Sequence, residues 1–546
     1  MSNISNKKVK IFIMILCTMG IVIGLTLVGI ASSSSIIRYS STFPIIIDPC
    51  VGASVQSVVA QVNIFDPLVS IDVDGNVIPH VAEKWDVSSD GLTYTFYIRP
   101  GIKFHDGSEL TAEDVKFSME RMTTIGEGQA YIWMGKIKEI EIPDQYTVVF
   151  HLDNTFGPFL TSLINFYIMN KDLIMENIKE EETMYGDIGD YGKIYAADHD
   201  TGSGAYRIKE FQTTDYLLME KNPDYFLEID YDAPDEFKMI AQTQENTVKT
   251  LMSRREIEMT NIFMTVESLK FLSEIEGIEI CSFPSSDMEY FAMNTKKPPL
   301  DDIHVRRALA WAFDYEEGVK LYPESTQAIG PVSQTVPGSH SGAFQFHRNL
   351  EKAKEELKKS KYYDNFDEYP IDMVWFSSVT REKYSMLLMA NAAEIGLDID
   401  LSETTWSLLI ENVQKPETTP SLFLIRVSPG FPEAISTLEA KYHSRNTGTW
   451  AQSEWLEDHT VDKMIDETIA TVDRDQRYEK TREIIEYIID LCPSIYVVET
   501  PNRSAYQAAY VDWPTANLGK GPAGFQYEYR MRFIKIYPEK RDELLK

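Results

Sequence analysis

The chain has 546 residues, enough for roughly three to four domains of average size. Its 43% hydrophobic content excludes a wholly disordered protein, because disorder requires low hydrophobicity. A formal net charge of −32 argues against a nucleic-acid partner, since phosphate backbones are bound by clustered Lys and Arg. The acidity instead fits a soluble monomer whose copies repel each other.

The N-terminus predicts export from the cytoplasm. Three lysines precede an uncharged apolar run over residues 11–31, which as a helix would be about 31 Å long and could cross a bilayer. Gly29 and Ala31 also form a small-x-small site of the kind that signal peptidases cleave. An uncleaved anchor and a cleaved signal both remain open, and we predict that residues 1–35 form this segment and a Ser-rich tether. No second span follows, so the chain is not a transport pore.

The next elements along the chain are strands and a capped helix. Alternating apolar residues predict strands at 94–98 and 146–150. Between them Thr111 and Asp114 have the spacing of a capping box, which predicts a helix that begins there and runs through Met122.

Helical spacing returns in the second half of the chain. Apolar residues predict helices over 305–313, with Gly318 as the stop signal, and over 461–472 and 484–489. Strands and helices therefore alternate along the whole length, which indicates an α/β or α+β protein.

A search for catalytic and metal-binding motifs predicts no enzyme. The sequence contains neither HExxH nor GxSxG. His105 and Asp106 are interpreted as part of a turn, and the adjacent Asp301 and Asp302 as helix caps, because both carboxylates precede a helical pattern. We accordingly predict no catalytic residue, no metal and no cofactor.

One stretch carries a specific family resemblance. Residues 92–118 read LTYTFYIRPGIKFHDGSELTAEDVKFS, which resembles the signature of the family 5 extracellular solute-binding proteins. These are the oligopeptide-, dipeptide- and nickel-binding components of ABC importers. Further segments resemble the family in the same order, so that the likeness covers roughly residues 46–515; they are 63–69, 79–85, 201–206, 222–226 and 293–308.

The resemblance implies an α/β, two-lobed, periplasmic-binding-protein-like fold of class II with an extra subdomain inserted in the first lobe. Residues 36–65, 196–285 and 500–546 are predicted to form lobe I, residues 66–195 the inserted subdomain and residues 286–499 lobe II. The implied function is capture of a peptide or similar small ligand between the lobes. The implied partners are an ABC permease and its ATPase subunits, outside the cytoplasm.

Departures from the family pattern leave the ligand open. Peptide-binding members carry a Trp-x-x-Asp-Tyr-x-x-Pro stretch whose Asp grips the peptide amino group. Here Arg426 stands about where the Trp would be and Pro429 about where the Asp would be. Because an arginine repels an ammonium and attracts anions or sugar hydroxyls, an oligosaccharide- or anion-binding member is the alternative. Glu433 is considered as a substitute amine partner.

Aromatic and charged residues supply the predicted cleft walls, because aromatic rings bury much area and a few polar groups fix orientation. The predicted ligand-binding residues are Tyr206, Tyr290, Trp375, Trp406, Arg426 and Phe431. The sequence gives little support to two other function classes. An exported hydrolase would need a catalytic motif, and the sequence has none. A membrane-anchored sensor would have a cytoplasmic tail of only about ten residues, which is too short for a signalling domain.

Cys281 and Cys492 each lie just before a predicted crossing between the lobes. An exported protein can form disulfides, so a bridge that restrains the hinge is one hypothesis. Two buried free thiols are the alternative.

Overall fold

The structure, a computed structural model, describes residues 35–72, 75–376, 379–518 and 527–546. The predicted anchor or signal segment falls on residues that lie outside these ranges. Within them, no helix combines the length and the apolar character needed to cross a bilayer.

Strands and helices alternate through all of the described ranges. The strands are Ile36–Ser41 (β1), Val69–Ile71 (β2), Val77–Pro79 (β3), Ala82–Val87 (β4), Thr93–Ile98 (β5), Ile137–Asp144 (β6), Thr147–Leu152 (β7), Tyr206–Gln212 (β8), Tyr216–Lys221 (β9), Glu236–Ala241 (β10), Glu279–Phe283 (β11), Met288–Met293 (β12), Thr326–Gln327 (β13), Ile371–Trp375 (β14), Ile399–Glu403 (β15), Leu422–Val427 (β16), Ser494–Glu499 (β17), Asn502–Tyr506 (β18), Val511–Asp512 (β19) and Lys535–Ile536 (β20). The α-helices are Val55–Ile64, Ala112–Ile125, Phe159–Ser162, Lys171–Glu176, Lys193–Ala196, Glu245–Ser253, Val266–Ser273, Ile303–Ala312, Tyr315–Lys320, Leu350–Leu357, Val379–Ala393, Trp406–Asn412, Ala434–Tyr442, His459–Ile469, Arg474–Leu491, Pro514–Leu518 and Pro538–Leu544.

The first sheet has the strand order β1-β10-β9-β8, with β1 parallel to β10. Single bridges from Tyr39 to Met259 and from Met259 to Tyr506 join it to the pair β11-β18. Chain segments that are far apart in the sequence therefore build one sheet.

The second sheet has six strands in the order β13-β17-β12-β16-β14-β15. Strand β14 is parallel to β15 and β16, and the antiparallel β12 lies between β16 and β17. The carboxyl ends of β14, β15, β16 and β17 consequently meet at one edge of the sheet. In open α/β sheets, that edge is where ligands bind.

The third sheet is antiparallel, in the order β4-β5-β7-β6, and contains the stretch that carried the family resemblance. Tyr94, Phe96 and Ile98 of β5 alternate with half-buried residues and point into the core, which confirms the strand predicted there. The helix Ala112–Ile125 begins with the predicted capping box, in which Asp114 accepts from the Thr111 backbone N–H at 2.9 Å.

The later helices also follow the sequence pattern, with two corrections. Asp302 caps the helix Ile303–Ala312 by accepting from the His304 N–H at 2.9 Å, so the capping interpretation is confirmed for Asp302. It is wrong for Asp301, which instead pairs with Lys361 at 2.7 Å. The prediction that Gly318 ends this helix is wrong. The chain leaves helical geometry at Phe313, and Gly318 lies inside the next helix, Tyr315–Lys320.

Two short connections join the first sheet to the second. Residues 284–287 lead from β11 to β12, and residues 500–501 lead from β17 to β18. The predicted lobe boundaries near 286 and 499 stay a prediction, and both connections lie beside them.

The two cysteines near these connections are not bridged. Cys281 and Cys492 are free, buried thiols in separate hydrophobic clusters, so the disulfide hypothesis is wrong and the alternative of two free thiols is confirmed. Burial raises the pKa of each thiol to about 12, which keeps both protonated.

Candidate functional site

A cavity opens beside the carboxyl edge of the second sheet. It holds about 860 Å³ of space between atoms, part of it open to solvent. One wall comes from Ser428, Pro429 and Gly430, which follow β16, and the opposite wall from residues 49–61 and 129–167. Asn502, which follows the second connection between the sheets, completes the lining. The cavity therefore lies between segments that are far apart in the sequence.

A carboxylate on the first connection gives this cavity its charge. Asp287 lines the cavity and forms an ion pair with Arg426, and it also accepts from the hydroxyl of Ser428. Arg426 additionally approaches the side-chain oxygen of Asn502 at 3.5 Å. Both members of the ion pair keep contact with solvent, with side-chain exposures of 16% for Asp287 and 29% for Arg426. Each member of this ion pair can therefore leave the other and pair with a charged group of a ligand.

The electrostatics of Arg426 follow from its acidic surroundings. Burial alone would lower the pKa of the guanidinium, but Asp287 and Glu289 outweigh it and the pKa is raised. The Nε atom of Arg426 is buried and has no hydrogen-bond partner among the described residues. Glu289 also takes part in a second ion pair, because it lies 3.3 Å from Arg381.

Aromatic side chains occupy the same sheet edge. Trp375 ends β14, and Trp406 begins the helix that follows β15. Trp406 is 41% exposed, and its ring lies 5.3 Å from that of Phe376 and 6.0 Å from that of Trp450. The structure thus brings the predicted residues Trp375, Trp406 and Arg426 to one edge, although none of them is itself among the residues lining the cavity.

The other three predicted residues are buried away from the cavity walls. Tyr206 lies in the first sheet and donates its hydroxyl to the Pro234 carbonyl at 2.6 Å. The ring of Tyr290, on β12, has the ammonium of Lys441 3.4 Å from its centroid. Phe431 is 3% exposed and packs edge-to-face on Phe156 at 6.1 Å. Their part in ligand binding stays a prediction.

Glu433 is fully committed to protein partners. Its two oxygens accept from Arg477 at 2.7 Å each, and one of them also accepts from the Thr161 hydroxyl at 2.7 Å. Neither Glu433 nor Arg477 is more than 2% exposed. No oxygen is left for a ligand amine, so Glu433 does not replace the missing aspartate in this structure.

Uncharged polar groups line the opposite wall. Asn165 donates its amide to the Gly430 carbonyl at 2.7 Å and thereby links the two sides of the cavity. The side-chain oxygen of Gln129 and the hydroxyl of Tyr167 are buried and lack a hydrogen-bond partner among the described residues. Free donors and acceptors on a cavity wall are suited to fixing a polar ligand.

Sequence reasoning missed Asp287, Asn165 and Gln129, which lie in connecting segments without a periodic pattern. The one available signal for Asp287 was its place in a lobe crossing. In the described part of the chain, no three His, Cys, Asp or Glu side chains come together in a way that could hold a metal ion. His105 instead bonds to Asp200 at 2.7 Å and to the Gly204 carbonyl at 2.9 Å.

Comparisons with known proteins agree with this architecture. Residues 76–449 match the model of the bacterial extracellular solute-binding proteins, family 5 Middle. The chain is 25% identical to the probable D,D-dipeptide-binding periplasmic protein DdpA of Escherichia coli, over 79% of this chain and 80% of that one. It is 24% identical to the dipeptide-binding protein DppE of Bacillus subtilis, over 83% and 84%.

A solved structure shares the fold. The ABC transporter substrate binding protein CtaP of Listeria monocytogenes superposes with a TM-score of 0.79 at 19% identity, over 92% of this chain and 99% of that one. The two-lobed α/β fold that the resemblance implied is confirmed. The family match covers well over half of the sequence, and the chain belongs to the bacterial extracellular solute-binding proteins of family 5.

Proposed function

We propose that the chain is the extracytoplasmic substrate-binding component of an ABC importer and that it captures a peptide or similar small ligand with a free amino group. The observation that carries this proposal is the Asp287–Arg426 ion pair, which keeps contact with solvent and whose Asp287 lines the cavity. The dipeptide-binding relatives support the ligand class.

Asp287 supplies the carboxylate that the sequence lacks at Pro429. The two residues line the same cavity, so an ammonium group placed there lies within reach of Asp287 even though Pro429 has no charge. A ligand ammonium would take the place of the Arg426 guanidinium on Asp287. The released Arg426 would then be free to pair with a ligand carboxylate, because a guanidinium binds carboxylates through two parallel hydrogen bonds.

This exchange favours a zwitterion over a sugar or a simple anion. An anion could pair with Arg426 only by displacing Asp287, so the ion pair that is lost offsets the one that is gained. A zwitterion keeps both protein charges paired. An oligosaccharide, the alternative ligand, would have to break or bypass the ion pair using hydroxyl groups alone.

Binding is coupled to closure of the lobes. A ligand that contacts walls from both predicted lobes binds the closed form better than the open form and shifts the population towards it. The hydrogen bond from Asn165 to Gly430 already links the two sides of the cavity. This contact of the closed form therefore does not depend on a ligand. No bond of the ligand is broken in this scheme.

The remaining parts of the proposal concern location and partners. We propose that the apolar run over residues 11–31 tethers the protein outside the membrane, or is cleaved to release it. The closed complex would dock as a monomer on a permease driven by ATPase subunits. A sensor without transport is the second candidate, and an adjoining permease and ATPase in the genome would favour transport.

The ligand class is tested by mass spectrometry of compounds that co-purify with the protein, followed by isothermal titration calorimetry. The probes are alanyl-alanine as LL and DD isomers, and maltose. We expect a co-purifying peptide or a tight peptide isotherm, and no heat with maltose. Tight maltose binding with no peptide binding would contradict the proposed ligand class.

A further inference from the structure

A second, smaller cavity borders the first and shares the side chain of Tyr167 with it. It lies between the end of the helix Val55–Ile64 and the C-terminal segment, and it has room for about one water-sized particle. The charges around it do not sum to zero, and one of its polar groups lacks a hydrogen-bond partner among the described residues.

Two arginines line this cavity without a carboxylate partner. No side-chain carboxylate of the described residues lies within ion-pair distance of Arg530 or Arg532. The Arg530 guanidinium donates to the Ser70 hydroxyl at 3.1 Å and lies 3.5 Å from the centroid of the Tyr527 ring. Arg532 stacks over the Phe533 ring at 4.3 Å. Both arginines are half-buried and lack a carboxylate counterion, although the protein has a net charge of −32.

The hydroxyl of Tyr167 supplies an independent observation. The residue is 4% exposed, and its oxygen has no hydrogen-bond partner among the residues that the structure describes. Burial raises its pKa well above the usual value, so the hydroxyl stays a neutral donor. A buried hydroxyl without a partner costs stability unless something in the cavity accepts its hydrogen bond.

The carboxylate in the cavity wall is already in use. Asp66 lies 2.7 Å from Nε2 of His80 and accepts from the hydroxyls of Ser203 and Tyr225 at 2.8 Å each. The pKa of His80 is lowered, first by burial and further by the two arginines, although Asp66 opposes this. With His80 neutral, one negative and two positive charges face the cavity, a surplus of one positive charge.

We propose that this cavity binds one small monoatomic anion of the size of chloride or bromide. Arg532 and Arg530 would provide its charge partners, and the Tyr167 hydroxyl would donate to it. Asp66 in the wall disfavours a divalent anion, and the small volume excludes a large one. The inference does not depend on the proposed transport function, because the charge partners Arg530 and Arg532 do not line the cavity assigned to the ligand.

The test compares salts at equal ionic strength by thermal unfolding of the purified full chain. In sodium gluconate, whose anion is too large for the cavity, chloride or bromide should raise the Tm by about 2–4 °C as the site saturates. The substitutions Arg532→Gln and Tyr167→Phe should each abolish most of this anion-specific increase. The control Arg482→Gln removes a surface arginine paired with Glu479 and should keep it.

Crystals grown in sodium bromide decide the question without a variant. The proposal expects an anomalous peak beside Arg532 and the Tyr167 hydroxyl. An ordered water there without anomalous signal would overturn it, as would equal Tm values in all salts. An increase that persists in both Arg532→Gln and Tyr167→Phe would also overturn it.

Discussion

Two arginine–carboxylate pairs in the second half of the chain differ in their surroundings. Glu433 and Arg477 are at most 2% exposed and form two parallel hydrogen bonds of 2.7 Å. Asp287 and Arg426 retain 16% and 29% exposure at the edge of a cavity, and Arg426 keeps an unused Nε–H. The first pair is satisfied within the protein, whereas the second has capacity left for a ligand.

The difference in exposure separates an ion pair with a structural role from one with a functional role. A fully buried pair is strongly destabilising to break because one charge is then left uncompensated. A pair in contact with solvent contributes little to stability, so its partners can change at small cost. We therefore expect substitutions at the first pair to affect folding and substitutions at the second to affect binding.

The largest expected effect comes from breaking the buried pair. Glu433→Gln leaves the Arg477 charge without compensation and should lower the free energy of unfolding by about 3–5 kcal/mol. Urea unfolding followed by fluorescence measures this. Arg426→Gln is the matched comparison and should cost about 1 kcal/mol or less. Equal losses in the two variants would remove the distinction between the pairs.

A smaller effect is expected from Thr161, whose hydroxyl contacts the buried Glu433–Arg477 pair. Thr161→Val deletes the hydroxyl that donates to Glu433 at 2.7 Å, while the Arg477 bonds remain. One such hydrogen bond contributes about 1 kcal/mol.

Because Thr161 and Glu433 belong to segments predicted to lie in different lobes, Thr161→Val should also raise the apparent Kd for a bound peptide by about fivefold. Calorimetry measures the Kd. Thr468→Val, which removes a hydroxyl bonded to the Met464 carbonyl within a single helix, should leave the affinity unchanged. An unchanged Kd in Thr161→Val would show that this contact does not open and close with the cavity.

The smallest effect concerns Glu499, which ends β17 at the same sheet edge. Burial raises the pKa of this carboxyl group, although bonds from Ser333 and Gln334 oppose the shift. Because the folded pKa lies above the unfolded value, the favourable contribution is present at acidic pH and is lost as the pH rises through the folded pKa.

Glu499→Gln, which is neutral at every pH, should therefore unfold at a higher temperature than the wild type at pH 7.5 and at nearly the same temperature at pH 4. Melting curves at the two pH values test this. Glu479→Gln, on the exposed surface, serves as the control and should show neither difference. A lower Tm for Glu499→Gln at pH 7.5 would contradict the assigned direction.

Local patterns predicted much of the fold. The alternation in β5, the capping box at Thr111 and the cap at Asp302 are set by residues within a few positions of each other, and all three are confirmed. The stop at Gly318 failed because the chain turns at Phe313 and a second helix starts at once. The order of strands in the second sheet has no local signal and was not predicted.

The site was harder to predict because its partners are distant in the chain. Asp287 and Arg426 are separated by 139 positions, and only the register of β12 against β16 brings them together. Aromatic composition also does not distinguish a buried ring from a cavity wall. Tyr206 and Tyr290 are buried in sheets, whereas Trp406 is partly exposed at the sheet edge.

The proposed contact between Asp287 and the amino group of the ligand is tested by calorimetry with a peptide and its N-acetylated form. For the wild type, acetylation should weaken binding by about 10–100-fold, the equivalent of about 1.4–2.7 kcal/mol. For Asp287→Asn, the free peptide should bind as weakly as the acetylated one, while the exposed-site control Asp490→Asn should behave like the wild type. A Asp287→Asn protein that still prefers the free amino group by the wild-type factor would contradict the claim.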